Sequence, residues 1–345
     1  MSLPRRALGL ANRVLRPLGT ELAPSAELEQ LRMRPPLSDA PIPTPPPLPA
    51  EAADHLVPGN PRLTELMERY AAMPEAVTSG SLWTPDYIAE EIDLPSYRGD
   101  NAYVWQFRDH NTEANHLLTA YYLESVDRLG LLDRLTDDEL FGAIGFRWKG
   151  DRLVTRDLLD SVAEIDFLDA EVGLADQTDF HVLDIGAGYG RLAQRLVEAF
   201  DGVTVHATDA LAVSTFLCEF NLRFRGASPR ASAVPLDEVD AVLSSQRIDL
   251  ATNIHSFSEC PLSAVCWWLD LLREHEVPQL LIIPNIGDHG GHRLEAREPT
   301  GFVDFLPELG RRDYHLSVKR PKFADEAVQR VGVSPSQHFL FELRP

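Results

Sequence analysis

His181-Val-Leu-Asp-Ile-Gly-Ala-Gly-Tyr-Gly-Arg191 decides how the chain is read. Val182, Leu183 and Ile185 make a short apolar run suited to a buried strand, and three glycines at alternate positions suit a tight turn. From Tyr189 to Phe200 the apolar residues return at helical spacing, as Leu192, Leu196 and Phe200. Strand, glycine loop and helix in that order form a nucleotide-binding arrangement. Gly186, Gly188 and Gly190 remove side chains where a ligand must approach backbone, and the helix start adds outward N–H groups. Spacing then separates the nucleotides. A dinucleotide fingerprint needs a small residue three positions after Gly188, where this chain has Arg191. A P-loop needs a Gly-Lys-Ser/Thr ending, which is absent.

What stands instead is Asp184-x-Gly-x-Gly-x-Gly, followed by a second strand, Val203–Thr208, that ends in Asp209. An acidic group at that strand's tip can accept both hydroxyls of an adenosine ribose. The pair resembles the cofactor site of class I S-adenosylmethionine-dependent methyltransferases. The resemblance implies that Asp184 and Gly186, Ala187, Gly188 and Gly190 hold the methionine part of S-adenosylmethionine. It puts Asp209 on the ribose, with Ala210 and Asn253 also on the cofactor.

At 345 residues the chain can hold two modest domains, or one with a large extension. A formal charge of −21 argues against nucleic acid, because phosphate binding is driven by counterion release onto Lys and Arg. A neutral or cationic small substrate is easier to reconcile with it. Cys218, Cys260 and Cys266 form no CxxC pair and read as reduced, mostly buried thiols of a cytoplasmic protein. No apolar run is long enough to span a bilayer.

Near the start, Leu8, Ala11, Leu15 and Leu18 share a helical face opposite Arg5, Arg6, Arg13 and Arg16. That face suits packing on this chain or a partner, or else a membrane-surface or targeting helix. Eight prolines between Pro35 and Pro49 describe an extended linker, so residues 1–60 read as a basic helix and a largely disordered leader. Residues 61–172 read as a mainly helical lid and substrate region. Helices are expected over Thr112–Leu132 and Thr155–Leu168, and Thr136 with Glu139 forms a capping-box pattern opening a short helix to Phe141. Ahead of them, Tyr103-Val-Trp-Gln-Phe-Arg-Asp-His mixes aromatic and polar groups. Trp105, Gln106 and the later Tyr121 are candidates for a sugar-binding surface, or for plain core.

From residue 173 to 345 strands alternate with helices, which predicts a mostly parallel sheet covered on both faces. Strands are expected at 181–185, 203–208, 231–234, 248–254 and 279–285, then near 314–320 and 337–343. The methyltransferase resemblance makes the last two a closing hairpin with one antiparallel strand. The fold class is therefore α/β: a Rossmann-like class I methyltransferase sheet with an N-terminal helical lid.

Ligands of open α/β sheets bind beyond the carboxyl ends of the strands, so the residues there carry the chemistry. After the fourth strand comes Thr252-Asn-Ile-His-Ser-Phe-Ser-Glu-Cys-Pro. His255, with an unperturbed pKa near neutrality, is the candidate base, and Glu259 would orient it or bind the acceptor. Ser256, Trp268 and Asn285 are placed around the acceptor. Arg156 either pairs with Asp157 at a helix end or meets the cofactor carboxylate or an acceptor group. Asp288, His289 and His292 are metal-ligand types, yet they lie in a Gly-rich loop without a companion carboxylate motif, and no metal is expected.

Asp184–Leu192, Ser214-Thr-Phe-Leu-Cys-Glu, Leu222-Arg-Phe-Arg-Gly226, Asn253–Cys260 with Trp267-Trp268, and Ile283-Pro-Asn285 together resemble the sugar O-methyltransferases of natural-product pathways. Arg156-Asp-Leu-Leu-Asp-Ser161, Glu164 and Phe167-Leu168 extend the likeness into the helical half, so that it covers roughly residues 80–345. The resemblance implies methyl transfer to a deoxysugar hydroxyl on a small-molecule glycoside. A phenol, carboxylate or amine acceptor, and a non-catalytic binding protein on the same fold, stay open beside it.

Overall fold

The run Phe180–Ile185 becomes the centre of a seven-stranded sheet because it is buried on both faces. A computed structural model describes residues 46–78, 82–99, 103, 113–287 and 289–344. In chain order the strands are β1 (Gly145–Trp148), β2 (Arg152–Thr155), β3 (Phe180–Ile185), β4 (Val203–Thr208), β5 (Ala231–Ala233) and β6 (Leu250–Ile254). β7 (Gln279–Ile283), β8 (Glu295–Glu298), β9 (Gly301–Asp304), β10 (Tyr314–Pro321) and β11 (Gln337–Leu343) follow. The large sheet has the order β10-β11-β7-β6-β3-β4-β5. β3 to β7 are parallel, and β11 runs antiparallel to β7 and to β10.

Alternation along β3 sorts its side chains into two cores. Leu183 and Ile185 join Phe216 and Phe220 of the Ala212–Phe224 helix and Trp268 of the Leu262–Glu274 helix. Val182 points the other way, to Leu158 and Leu159 of the Arg156–Val172 helix and Leu192 and Leu196 of the Arg191–Ala199 helix. The parallel strands stay in phase: Ile185 lies opposite both Thr208 and Asn253, and Ile254 opposite Ile283. Consequently the residues after β3, β4, β6 and β7 emerge along one edge. That register builds the site.

The N-terminal region departs from expectation in three ways. Helix is present at Ala50–His55, with Ala52 and Leu56 buried, so ordered chain begins ahead of Pro61; the expected basic helix and most of the proline run lie outside the described residues. Most of this region flanks the sheet instead of covering its edge. The Pro61–Ala71 helix packs on the Ala212–Phe224 helix, where Arg62 Nε donates to Glu219 at 3.0 Å, while the Glu113–Val126 helix packs on Arg156–Val172. Pro45–Pro345 is one compact unit, with no division at 172/173.

Third, the segment, though mainly helical, also contains strand. Phe146-Arg-Trp-Lys-Gly-Asp-Arg-Leu-Val forms the antiparallel β1–β2 hairpin, whose alternation and Gly-Asp turn are visible in the sequence. The Thr112–Leu132 helix breaks at Val126 and resumes at Leu131–Arg134 after Gly130. Thr136 caps nothing. Asp137 and Asp138 behind it are instead drawn into ion pairs with Arg98, Arg195 and Arg225, leaving only a short turn at Leu140–Gly142. Thr155 does cap its helix, accepting from the Leu158 N–H at 3.1 Å. A second small hairpin, β8–β9, had not been anticipated.

Candidate active site

A cleft of about 1230 Å³, counting the solvent in its mouth, opens along the carboxyl edge of β3, β4 and β6. The β3 loop supplies Gly186, Ala187 and Gly188, with Asp184 at its root. Gly186 has φ +71, and a Cβ there would come within 2.4 Å of Ser256 Cβ, so glycine is required by both backbone and space. Gly190 sits behind the cleft, where a Cβ would lie 2.7 Å from Cys218 Sγ; it shapes the loop without lining the cavity.

Two carboxylates sit in the floor. Asp209 accepts from the backbone N–H of Gly188 and of Leu211, both at 2.9 Å, and Ala210 lies beside it. Asp184 accepts from Thr252 Oγ1 at 2.7 Å. Burial pushes each up to about 6, against the pull of those donors. Polar groups this deep, facing open space, have room for more hydrogen bonds from a ligand.

After β6, Asn253 is fully buried and acts as a clamp. Its amide donates to Ile185 O at 3.1 Å and its oxygen accepts from the Phe257 N–H at 3.0 Å, so it does not line the cleft. His255 and Ser256 do line it, as do Glu259 and Trp268. His255, the expected base, stands in the cleft wall. Burial, then Arg156, push its imidazole down to about 3, which keeps it neutral and makes it a weak proton acceptor. Burial moves Glu259 the opposite way, above the usual carboxylate range, with Asn285 and Trp83 donating to it. Asn285 Nδ2 reaches Glu259 Oε1 at 2.9 Å from behind, and Asn285 is not itself on the cavity surface.

The Arg156–Val172 helix brings charge to the other wall. Arg156 lines the cleft and pairs with Asp160 at 3.3 Å, not with Asp157. Lys322, buried, also donates to Asp160. Asp157 accepts instead from Arg98 Nε at 3.0 Å and from the Tyr189 hydroxyl at 2.5 Å. Arg191, which replaces the small residue of a dinucleotide loop, grips Glu164 through two bonds of 2.8 and 3.0 Å.

Tyr121 does not reach the cleft. It is 53% exposed on the Glu113–Val126 helix, edge-on to Trp148 with ring centroids 5.7 Å apart. Trp105 and Gln106 lie outside the described residues, as does Asp288. His289 is 3.5 Å from Glu295, and among the described residues no cluster of His, Cys, Asp or Glu could hold a metal ion. Sequence reasoning missed Trp83, Tyr189 and Asp160. Tyr189 and Asp160 fell inside motifs already quoted, whereas Trp83 sits in irregular chain with no periodicity to mark it. Tyr103, quoted only as part of an aromatic stretch, roofs Gly188: a Cβ there would meet its ring at 3.4 Å.

A central β3 with its glycine loop, an acidic residue closing β4, and one antiparallel strand, β11, inserted between β7 and β10 define the architecture. The fold is that of the class I methyltransferases. No family profile matches the chain, and no curated protein matches it significantly. Among solved structures it is similar to magnesium protoporphyrin IX methyltransferase from Synechocystis PCC 6803 with bound S-adenosylhomocysteine. The identity is 13% over 55% of this chain and 86% of that one, with a TM-score of 0.39. It is also similar to the [4+2]-cyclase SpnF, at 16% identity over 65% and 96% of the two chains and a TM-score of 0.39. A third is an S-adenosylmethionine-dependent methyltransferase from Clostridium acetobutylicum ATCC 824, at 14%, 54% and 91%, with a TM-score of 0.37. Likeness at that level leaves substrate and chemistry to be argued from the site. The three cysteines are free, and no described helix is long and apolar enough to cross a membrane.

Proposed function

We propose that the chain is an S-adenosylmethionine-dependent O-methyltransferase acting on a sugar hydroxyl of a small-molecule glycoside. One observation carries the reading: Asp209 is bonded to the Gly188 N–H, so the carboxylate ending β4 and the bare loop after β3 face one cleft together. The residues fit the cofactor. Gly186 and Gly188 leave backbone exposed, Asp209 can take a ribose diol, and Asp184, in a lining that also holds Arg191 and Arg156, suits an amino-acid end. The bound cofactor supplies a methyl group made electrophilic by its sulfonium.

The chain's share is alignment, exclusion of water and removal of one proton. Glu259 is the proton acceptor: it lines the cleft, and burial raises its proton affinity toward what an acceptor hydroxyl needs. As the hydroxyl oxygen takes the methyl group, its proton passes to a Glu259 oxygen. His255, kept neutral, is a hydrogen-bonding partner in the wall. Arg156 and Asp160 offer donors and acceptors for other hydroxyls, and Trp83, Tyr103 and Trp268 supply aromatic lining suited to the C–H side of a sugar ring. Sugar as the acceptor rests on the resemblance in Arg156–Ser161 and Asn253–Cys260, joined to this wall.

The test pairs binding with turnover. Calorimetry should detect S-adenosylhomocysteine uptake by the wild type. Methyl transfer should then run on a deoxysugar glycoside and fail on its aglycone, with Glu259→Gln losing far more rate than His255→Asn. Methylation of the aglycone alone would move the acceptor to a phenol, carboxylate or amine. Uptake without transfer to either would favour a binding protein.

A further inference from the structure

Trp83 joins two regions that are 176 residues apart: its indole N–H donates to Glu259 Oε2 at 2.8 Å. The ring stands just ahead of the Pro85–Glu91 helix, edge-on to Tyr87 with centroids 5.6 Å apart. On its other side it leans on Tyr103 at 5.7 Å, and Tyr103 meets Tyr189 of the glycine loop at 6.0 Å while its hydroxyl is 2.9 Å from Ser214 Oγ. Trp83, Tyr103 and Tyr189 therefore form one continuous aromatic course along the cleft, and its far end is bonded to a carboxylate.

A glutamate that follows a single short turn, Ser256–Ser258, has several rotors to fix. Among the described residues Asn285 holds one oxygen and Trp83 the other, both as neutral donors, while the charge of Arg297 also acts on the carboxylate and favours its ionised form. Neutral donors set direction with far less loss of basicity than a cation on the same oxygens would bring. We propose that Trp83 is a positioning residue for Glu259, fixing its carboxylate across the cleft from the helical segment beside the glycine loop. This rests on the reading of Glu259 as proton acceptor. It also gives the N-terminal region a part in the chemistry that its packing on the sheet flanks does not supply.

The full-length chain, labelled with ¹³C at glutamate side-chain carboxyls, is titrated by NMR with no acceptor present; Glu259 is assigned by the signal lost in Glu259→Gln. Trp83→Phe keeps the ring and removes the donor. The Glu259 midpoint should rise by roughly one pH unit, because the lost bond favoured the ionised form. An unmoved midpoint in folded Trp83→Phe overturns the proposal. Should that variant fail to fold, the wild type serves: the ¹⁵N indole signal of Trp83 must titrate with Glu259 and stop doing so in Glu259→Gln. An indole signal indifferent to pH overturns it equally. Failure of the wild type to take up S-adenosylhomocysteine sinks the methyltransferase reading but leaves both titrations standing, so the two failures are distinguishable.

Discussion

The Asp209 carboxylate bridges the glycine loop and its own turn, taking the Gly188 N–H on one oxygen and the Leu211 N–H on the other, each at 2.9 Å. One side chain at the end of β4 thereby sets the shape of the loop that follows β3. Asp209→Ala removes both bonds along with the proposed ribose acceptor. Charge-assisted hydrogen bonds are worth roughly 1.5–3 kcal/mol each, so S-adenosylhomocysteine affinity should fall about tenfold to a hundredfold by calorimetry. Asp209→Asn keeps one acceptor oxygen and should fall between. Equal affinity in all three proteins would separate Asp209 from ligand binding.

Gly186 faces Ser256 so closely that an added Cβ would lie 2.1 Å from its Oγ and 2.4 Å from its Cβ. Gly186→Ala should destabilise the chain by about 2 kcal/mol or more in urea, from the clash and from φ +71 together. Ser256→Gly in the same chain opens the space and should restore the part due to the clash. The part due to backbone, about 1 kcal/mol, should persist. Full restoration would mean that the left-handed conformation costs nothing there.

The sheet was legible because buried parallel strands write themselves as apolar runs with punctuation: all seven lie within two residues of their expected ends at both termini, with β6 starting two residues late and β7 ending two early. The cofactor half of the site was legible for the same reason, since strand ends and glycines are local signals. What was not legible was tertiary. Nothing near His255 in sequence announces Arg156 and Lys322, yet burial and their charge strip the imidazole of its basicity. Tyr121 has the right chemistry for a sugar platform, but the β1–β2 hairpin that holds it outside was itself unread. Trp83 acquires meaning only through a carboxylate 176 residues away. Thr136 obeyed a local capping rule that buried ion pairs to Asp137 and Asp138 overrode.

Asp184 makes stability depend on pH in a way that can be isolated. Its folded pKa, about 6, lies above the 3.8 of the free side chain, so the folded state favours the protonated form. The contribution is fully present below about pH 3.8 and is lost as pH rises through about 6. Above that, the buried charge costs on the order of 3 kcal/mol. Asp184→Asn preserves an oxygen for the Thr252 hydroxyl and carries no charge. It should be more stable than the wild type by about that amount at pH 8, and the two should converge near pH 4 in urea unfolding. A difference that does not change with pH would show that ionisation of Asp184 is not what separates them.

Arg98 is 3% exposed and, among the described residues, binds three carboxylates: Asp137 at 2.6 Å, Asp138 at 3.0 Å and Asp157 at 3.0 Å. Asp157 also takes the hydroxyl of Tyr189, so the guanidinium stands two contacts from the glycine loop. Arg98→Met keeps much of the volume and leaves Asp137 and Asp157 buried with one counter-charge fewer. Breaking a buried pair on one side costs about 3–5 kcal/mol, mostly from the charge left behind. The variant should lose that much in urea. Adding Asp137→Asn and Asp157→Asn should recover most of it, because the penalty belongs to the orphaned carboxylates and not to missing attraction. In that triple variant Tyr189 can still donate to the amide oxygen at position 157, so S-adenosylhomocysteine affinity should stay near the wild-type value while Arg98→Met alone weakens it. If the triple variant is as unstable as Arg98→Met, the packing of the arginine, and not its charge, holds this wall of the cleft in place.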